Sequence, residues 1–137
     1  MIAAGVGCRR NAPAEDVVAV IATALRKAGL DAAAIGVVAT LDGKAAEPGI
    51  IEAVRRLKCA LRQCSLLELA RVSHLTVGKS QRVRDAVGVP SVADAAALAA
   101  AGRNARILVP RQANATATCA LAEGQGAAML DERRGGA

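Results

Sequence analysis

Two short segments of this chain concentrate the residue types that bind or transform anions. In the first, AAGVGCRRNAP at residues 3–13, two glycines, a thiol and two arginines stand between a short apolar start and a proline. Gly5 and Gly7 let a backbone approach a ligand closely or take positive φ. Arg9 and Arg10 bring forked donors that match carboxylate or phosphate. A helix starting just beyond them would turn its free N–H groups into the same space. The segment is not a phosphate loop of the Walker type, because no GK[ST] follows, and Arg10 stands where a dinucleotide fingerprint needs its third glycine. Cys8 beside cations at a helix start has the setting of an activated nucleophile. The chain's one histidine, His74, lies far along the sequence, so packing is the plainer expectation for this thiol.

The second segment, TLDGKAAEPG at residues 40–49, gathers Thr40, Asp42, Lys44 and Glu47 within eight residues. Two carboxylates and an ammonium at that spacing can do acid–base work, each shifting the others' proton affinity. The plainer alternative is a capping loop in which Glu47 favours the start of the next helix. What decides between them is whether the two segments meet.

The elements around them say that they should. MIAAGVG reads as a buried strand ending in glycines. NAPAEDVVAVIATALRKAG reads as a helix with Asn11 as N-cap, Pro13 in the first turn, Glu15 and Asp16 at the positive end and Gly29 as the stop. Val17, Val20, Ile21, Ala24, Leu25 and Ala28 recur on one face at helical spacing. IGVVATLD supplies a second strand, and strand, helix and strand in this order predict a parallel pair. Both polar loops then leave the carboxyl ends of neighbouring strands, where open α/β sheets collect ligands.

Beyond them, IIEAVRRLK reads as a second helix and CALRQC as a third strand. Ser65 with Glu68 forms a capping box for a short helix, and Ser91 with Asp94 forms another for VADAAALAAA, ended by Gly102. Residues 71–81 read as loop and SQRVRDAVG as a short helix. ARILVP and ATATCALA read as closing strands. The expectation is one α/β domain over residues 1–122, three layers α/β/α with a mixed sheet of about five strands. A flexible, glycine-rich tail would then occupy residues 123–137.

Composition narrows the function. The chain has 137 residues, a net charge of +6 and not one Phe, Tyr or Trp. Without aromatic rings it has nothing on which to stack bases, which argues against single-strand nucleic-acid binding. The basic balance points to an anionic partner, and the cations are spread in pairs such as Arg55–Arg56 rather than in one block. The four cysteines, at 8, 59, 64 and 119, have no paired metal-ligand spacing, so no metal and no cofactor is expected; free thiols in a reducing cytosol fit better. The apolar start is too short for a secretion signal and its basic pair follows rather than precedes it. No run approaches a membrane span, and the expected location is the cytoplasm.

Four segments in order complete the picture: GVGCRRN after the first strand, ATLDGKAAEPGI after the second, VGVPSVADAAALAAAG in the late helix and LVPRQ in the late strand. Together, from about Ile2 to Ala122, they resemble the CobE and CbiG C-terminal family of cobalamin biosynthesis. Asn11 stands where that family usually has glycine and tolerates the same left-handed backbone. Thr40, Leu41, Asp42, Lys44, Glu47 and Gly49 match its second motif, and Arg111 keeps a late cation. A proline usual before VRDAVGVPSV is missing from TVGKSQRV. The resemblance implies a partner that is a tetrapyrrole, a precorrin or corrinoid rimmed by acetate and propionate arms. It implies binding by Gly5, Gly7, Cys8, Arg9, Arg10, Asp42, Lys44, Glu47, Ser91 and Arg111. Other enzymes of the pathway are further expected partners; nucleic acid and membrane are not. CbiG-type proteins open a ring lactone and release acetaldehyde, and they carry additional N-terminal sequence. A standalone domain resembles CobE of the aerobic route more, which implies an accessory or carrier role. If the chain is an enzyme, the implied activity is lactone hydrolysis with Asp42 or Glu47 as general base and Lys44 steadying the oxyanion.

Overall fold

The computed structural model describes residues 1–43, 46–72 and 92–126. Its elements run β1 (Ile2–Cys8), α1 (Ala14–Ala28), a 3-10 turn (Ala32–Ala34), β2 (Ile35–Leu41), α2 (Pro48–Leu57), β3 (Ala60–Cys64), α3 (Leu66–Val72), α4 (Val92–Ala101), β4 (Arg106–Ala113) and β5 (Ala117–Glu123). The strands form one five-stranded sheet in the order β3-β2-β1-β5-β4. β1 is parallel to β2 and β2 to β3, whereas β5 is antiparallel to both β1 and β4. The expected α/β domain with a mixed sheet is what forms. Because β5 runs against β1 and β4 runs with it, the turn from β4 to β5 arrives at the same rim as the carboxyl ends of β1 and β2.

Side-chain alternation along β1 assigns the two faces. Ala4 and Val6 pack with α1 and α2 in one core that includes Val17, Val20, Ile21, Ile50 and Leu121. Ala3 faces the other layer with Ala39, Ala120, Ala122 and the alanines of α4. The first core is aliphatic and ordinary in size. The second is built from alanine, so backbones there lie close together.

Gly5 is where that closeness is greatest. A Cβ placed on it would sit 2.0 Å from the Ala93 carbonyl oxygen and 2.5 Å from the Ala97 nitrogen. Its missing side chain therefore makes room for helix α4, not for a ligand, and its φ is not positive. This corrects the expectation for Gly5. Gly49 works the same way in α2, where a Cβ would lie 2.2 Å from the Ala12 carbonyl oxygen.

Local signals hold in part. Helix α1 ends on Gly29 at φ 71°, as its sequence predicts. The Ser65–Glu68 capping box forms in both directions, at 3.0 and 3.1 Å. Glu68 also takes Arg62 from β3, and Arg62 reaches the Ala99 carbonyl across to α4. Asn11 is not the N-cap of α1. Pro13 holds that position without a side-chain bond, and Asn11 instead takes left-handed backbone at φ 61°. Strand β5 continues through Glu123, and the amides of Gly124 and Gly126 bond to Met1 and Ala101, so ordered chain passes the expected start of the tail. The helix expected over SQRVRDAVG, most of the 71–81 loop, His74 and residues 127–137 lie outside the described residues.

The Gly5 contact generates a prediction. Gly5→Ala should destabilise the fold by about 1–3 kcal/mol, the usual cost of overpacking, whereas Gly29→Asn, at an exposed left-handed cap, should cost much less. Thermal unfolding of both variants measures this; a Gly5→Ala protein as stable as the parent would contradict the seating of α4.

Candidate functional site

The rim where β1 and β2 end carries both polar loops, and they touch. The Asn11 amide donates to the Glu47 carboxylate at 2.9 Å, and the close approach of Gly49 to Ala12 presses the start of α2 against the first loop. Asn11 makes this bond from left-handed backbone, at φ 61°. Glu47 is thus a clamp between the loops. Beneath them the buried Thr40 hydroxyl donates to the Val6 carbonyl at 2.7 Å, tying β2 to β1 just beyond their last paired residues.

Beside this clamp, on the side of β5 and β4, lies a cleft of about 410 Å³. It is lined by Gly7, Cys8 and Arg9 at the end of β1, by Leu41 of β2 and Val92 of α4, and by Arg111 with residues 113–118 on the β4–β5 side. The β4–β5 turn is set by Asn114, whose side-chain oxygen accepts the amides of Thr116 and Ala117 at 3.1 and 2.9 Å. That turn is pinned to α1: Asn114 donates to the Asp16 carbonyl and Thr116 to the Asp16 carboxylate. The Arg9 amide donates to Thr116 at 2.8 Å, which joins the first loop to this turn. Thr118 points its hydroxyl to the Gly7 carbonyl at 3.4 Å.

The neutral polar side chains of these walls are therefore engaged internally. The guanidinium groups of Arg9 and Arg111 are not: both residues are exposed, and neither has an ion pair among the described residues. What the cleft offers to a visitor is two forked cations over alanine, valine and leucine. Forked cations of this kind match carboxylate geometry.

Of the residues singled out from the sequence, Gly7, Cys8, Arg9 and Arg111 come together here. Gly5 lies under α4. Arg10 is exposed and does not line the cleft. Asp42 does not line the cleft, and its backbone amide bonds to the Cys64 carbonyl on β3 at 2.9 Å. Glu47 reaches Asn11 and leaves the cleft to its neighbours. Asp42 and Glu47 thus stand outside the lining that holds Arg9 and Arg111. Lys44 and Ser91 lie outside the described residues. The helix whose start adjoins the cleft is α4, through Val92, and not α1. Leu41, Val92 and the β4–β5 turn were not expected; the Asn-x-Thr of residues 114–116 is a turn signal that could have marked the last of these.

The thiols differ in setting. No disulfide joins them; Cys8 and Cys59 are half-buried and Cys64 and Cys119 buried. Burial pushes Cys59 and Cys64 up, and Cys119 up to about 12. Among the described residues no group of His, Cys, Asp and Glu could hold a metal ion. No helix among them is long and apolar enough to cross a membrane.

Comparison with known proteins now bears on this geometry. The family model for the cobalamin synthesis G C-terminus matches residues 2–122. This chain belongs to that family. A protein CobE from Sinorhizobium sp. is 39% identical over 120 residues, covering 86% of this chain and 77% of the relative. The crystal structure of CobE, a cobalamin biosynthetic protein, superposes with a TM-score of 0.78 at 30% identity, covering 92% of each chain. The structure of the cobalamin biosynthesis protein chiG from Agrobacterium tumefaciens gives 0.73 at 36% identity, covering 91% of this chain and 99% of that one. A cobalamin biosynthesis protein G homolog from Sulfolobus solfataricus shares the fold, with a TM-score of 0.67 at 22% identity, but this chain spans only 37% of it. The family resemblance read from four sequence segments is thus established over nearly the whole domain.

Two predictions follow from the clamp and the thiols. Glu47→Ala should cost about 1 kcal/mol in unfolding free energy, the ordinary loss of one hydrogen bond, and Glu47→Gln, which keeps an acceptor oxygen, should cost less than half of that. Equal losses would mean that the Asn11 bond contributes nothing. In the folded protein, a thiol reagent at neutral pH should modify Cys8 and Cys59 and leave Cys119 intact until denaturant is added; rapid native modification of Cys119 would contradict its burial.

Proposed function

We propose that this protein binds a carboxylate-rich corrin-ring intermediate at the cleft between the ends of β1 and β4, in an accessory or carrier role in cobalamin biosynthesis of the aerobic type. The observation that carries this reading is the pair Arg9 and Arg111, both exposed and without ion pairs among the described residues, lining one small-residue cleft. A ring fringed with acetate and propionate arms presents anions at its edge and an apolar face within. Two guanidinium groups among aliphatic side chains complement an edge of such a ring, and the remainder would extend beyond a cleft of about 410 Å³. The family, with relatives named for cobalamin biosynthesis, supplies the class of ligand.

The hydrolytic alternative has weaker support. A lactone hydrolase here needs a free general base beside the bound ring. One oxygen of the Glu47 carboxylate accepts the Asn11 amide, and the Asp42 backbone is tied to β3. Neither lines the cleft. The binding reading also leaves room for docking by another enzyme of the pathway, to which a carrier would deliver its cargo.

Titration of a corrin-ring polycarboxylic acid into the protein tests the reading through its visible bands. Saturable shifts are expected at micromolar protein, with cobalamin, whose peripheral arms are amides, binding far more weakly. Arg9→Ala and Arg111→Ala should each weaken binding about tenfold, the loss of one charge-assisted contact. Unchanged spectra at high protein concentration would overturn the proposal. Incubation with a lactone-bearing precorrin should yield no acetaldehyde; stoichiometric or catalytic release would favour the enzyme instead.

A further inference from the structure

Strand β4 does not pair evenly with β5. Val109 lies opposite Leu121 and Gln112 opposite Cys119, so two residues of β4, Pro110 and Arg111, stand against the single residue Ala120. This is a bulge, and a bulge re-aims the side chains that it carries. Pro110 has no amide to lose from the ladder. Arg111 has one, and it does not go to β5. It donates to the Asp94 carboxylate at 3.0 Å, across from β4 to the first turn of α4. The Gln112 side chain closes the same bulge from outside, donating to the Pro110 carbonyl at 2.8 Å.

From this geometry we infer that Asp94 is the positioning residue for Arg111: it holds the bulge amide and so fixes the arginine on the wall of the cleft. The inference rests on the reading of the cleft as a carboxylate site. Three observations converge on it. Arg111 lines the cleft while its backbone is held from behind by a different element. Asp94 sits on α4, whose own place is fixed by the Gly5 contact, so it is a rigid support. Asp94 itself does not line the cleft. Burial raises its proton affinity, against the opposing pull of the Arg111 amide and guanidinium. Its role is therefore indirect, to hold a cation at a defined place rather than to touch a ligand.

The test uses Asp94→Ala and Asp94→Asn in the full chain, alone and combined with Arg111→Ala, with the free acid of a corrin ring as probe. Asp94→Ala should weaken binding about fivefold, corresponding to one hydrogen bond, and Asp94→Asn, which keeps an acceptor oxygen, should restore most of it. In the Arg111→Ala background Asp94→Ala should have no further effect. A full additional loss there would overturn the inference while leaving the carboxylate cleft standing. Amide hydrogen exchange at Arg111 gives a readout that needs no ligand. It should rise at least tenfold in Asp94→Ala and stay near the parent rate in Asp94→Asn. If the parent protein binds no corrin acid, the functional reading falls. The exchange rates then still decide whether Asp94 holds the bulge, and unchanged exchange in Asp94→Ala would sink that as well.

Discussion

Helix α4 can lie against β1 only because position 5 has no side chain, and the placement of the cleft depends on that contact. The Ala93 carbonyl oxygen and the Ala97 nitrogen lie 2.0 and 2.5 Å from where a Cβ would be, so a side chain at position 5 would push α4 off the strand. The alanines around it, Ala3, Ala39, Ala120 and Ala122 on the sheet and Ala93, Ala96, Ala97 and Ala100 on the helix, extend the same close approach. Dispersion between closely packed backbones takes the place of bulky side chains here. The consequence for function is positional: the start of α4 arrives at the rim, where Val92 becomes part of the lining and Asp94 meets the β4 bulge.

A second constraint, the clamp between the loops, acts on the β1 side of the cleft. Asn11 in left-handed backbone, Glu47 at the start of α2 and Gly49 under Ala12 hold the first loop down. Arg9 is then bonded through its amide to Thr116. The β4–β5 turn is in turn fixed to α1 through Asp16. The first loop and the β4–β5 turn are thus each held by bonds to a different element, while among the described residues neither guanidinium group forms an ion pair. Preorganised cations on fixed supports lower the cost of ordering a charged partner.

What the sequence made legible follows from the range of each interaction. Helix α1, its Gly29 stop, the Ser65–Glu68 box and the parallel β1–β2 pair depend on neighbours a few residues away or on a short crossover, and local pattern was enough. The left-handed turn at Asn11 was readable because few residue types accept that backbone. By contrast Gly5, read as freedom to approach a ligand, answers to a helix almost ninety residues further on. Glu47 was placed among acid–base groups because its partner, Asn11, belongs to another loop. The Asp94–Arg111 bond joins a helix start that reads as a capping box to a bulge whose existence depends on the register of β4 and β5. Local propensity does not encode these pairings; the order of strands in the sheet does. Arg9 and Arg111 were both named from the sequence, but only the antiparallel hairpin shows why residues so far apart share one cleft.

The most direct test of the account is a crystal structure with a corrin-ring polycarboxylic acid bound. The account predicts ring carboxylates within hydrogen-bonding distance of both Arg9 and Arg111, with a ring edge resting on Leu41 and Val92. A ring seated elsewhere, for example along the Arg55 and Arg56 side of α2, with Arg9 and Arg111 facing empty solvent, would contradict it.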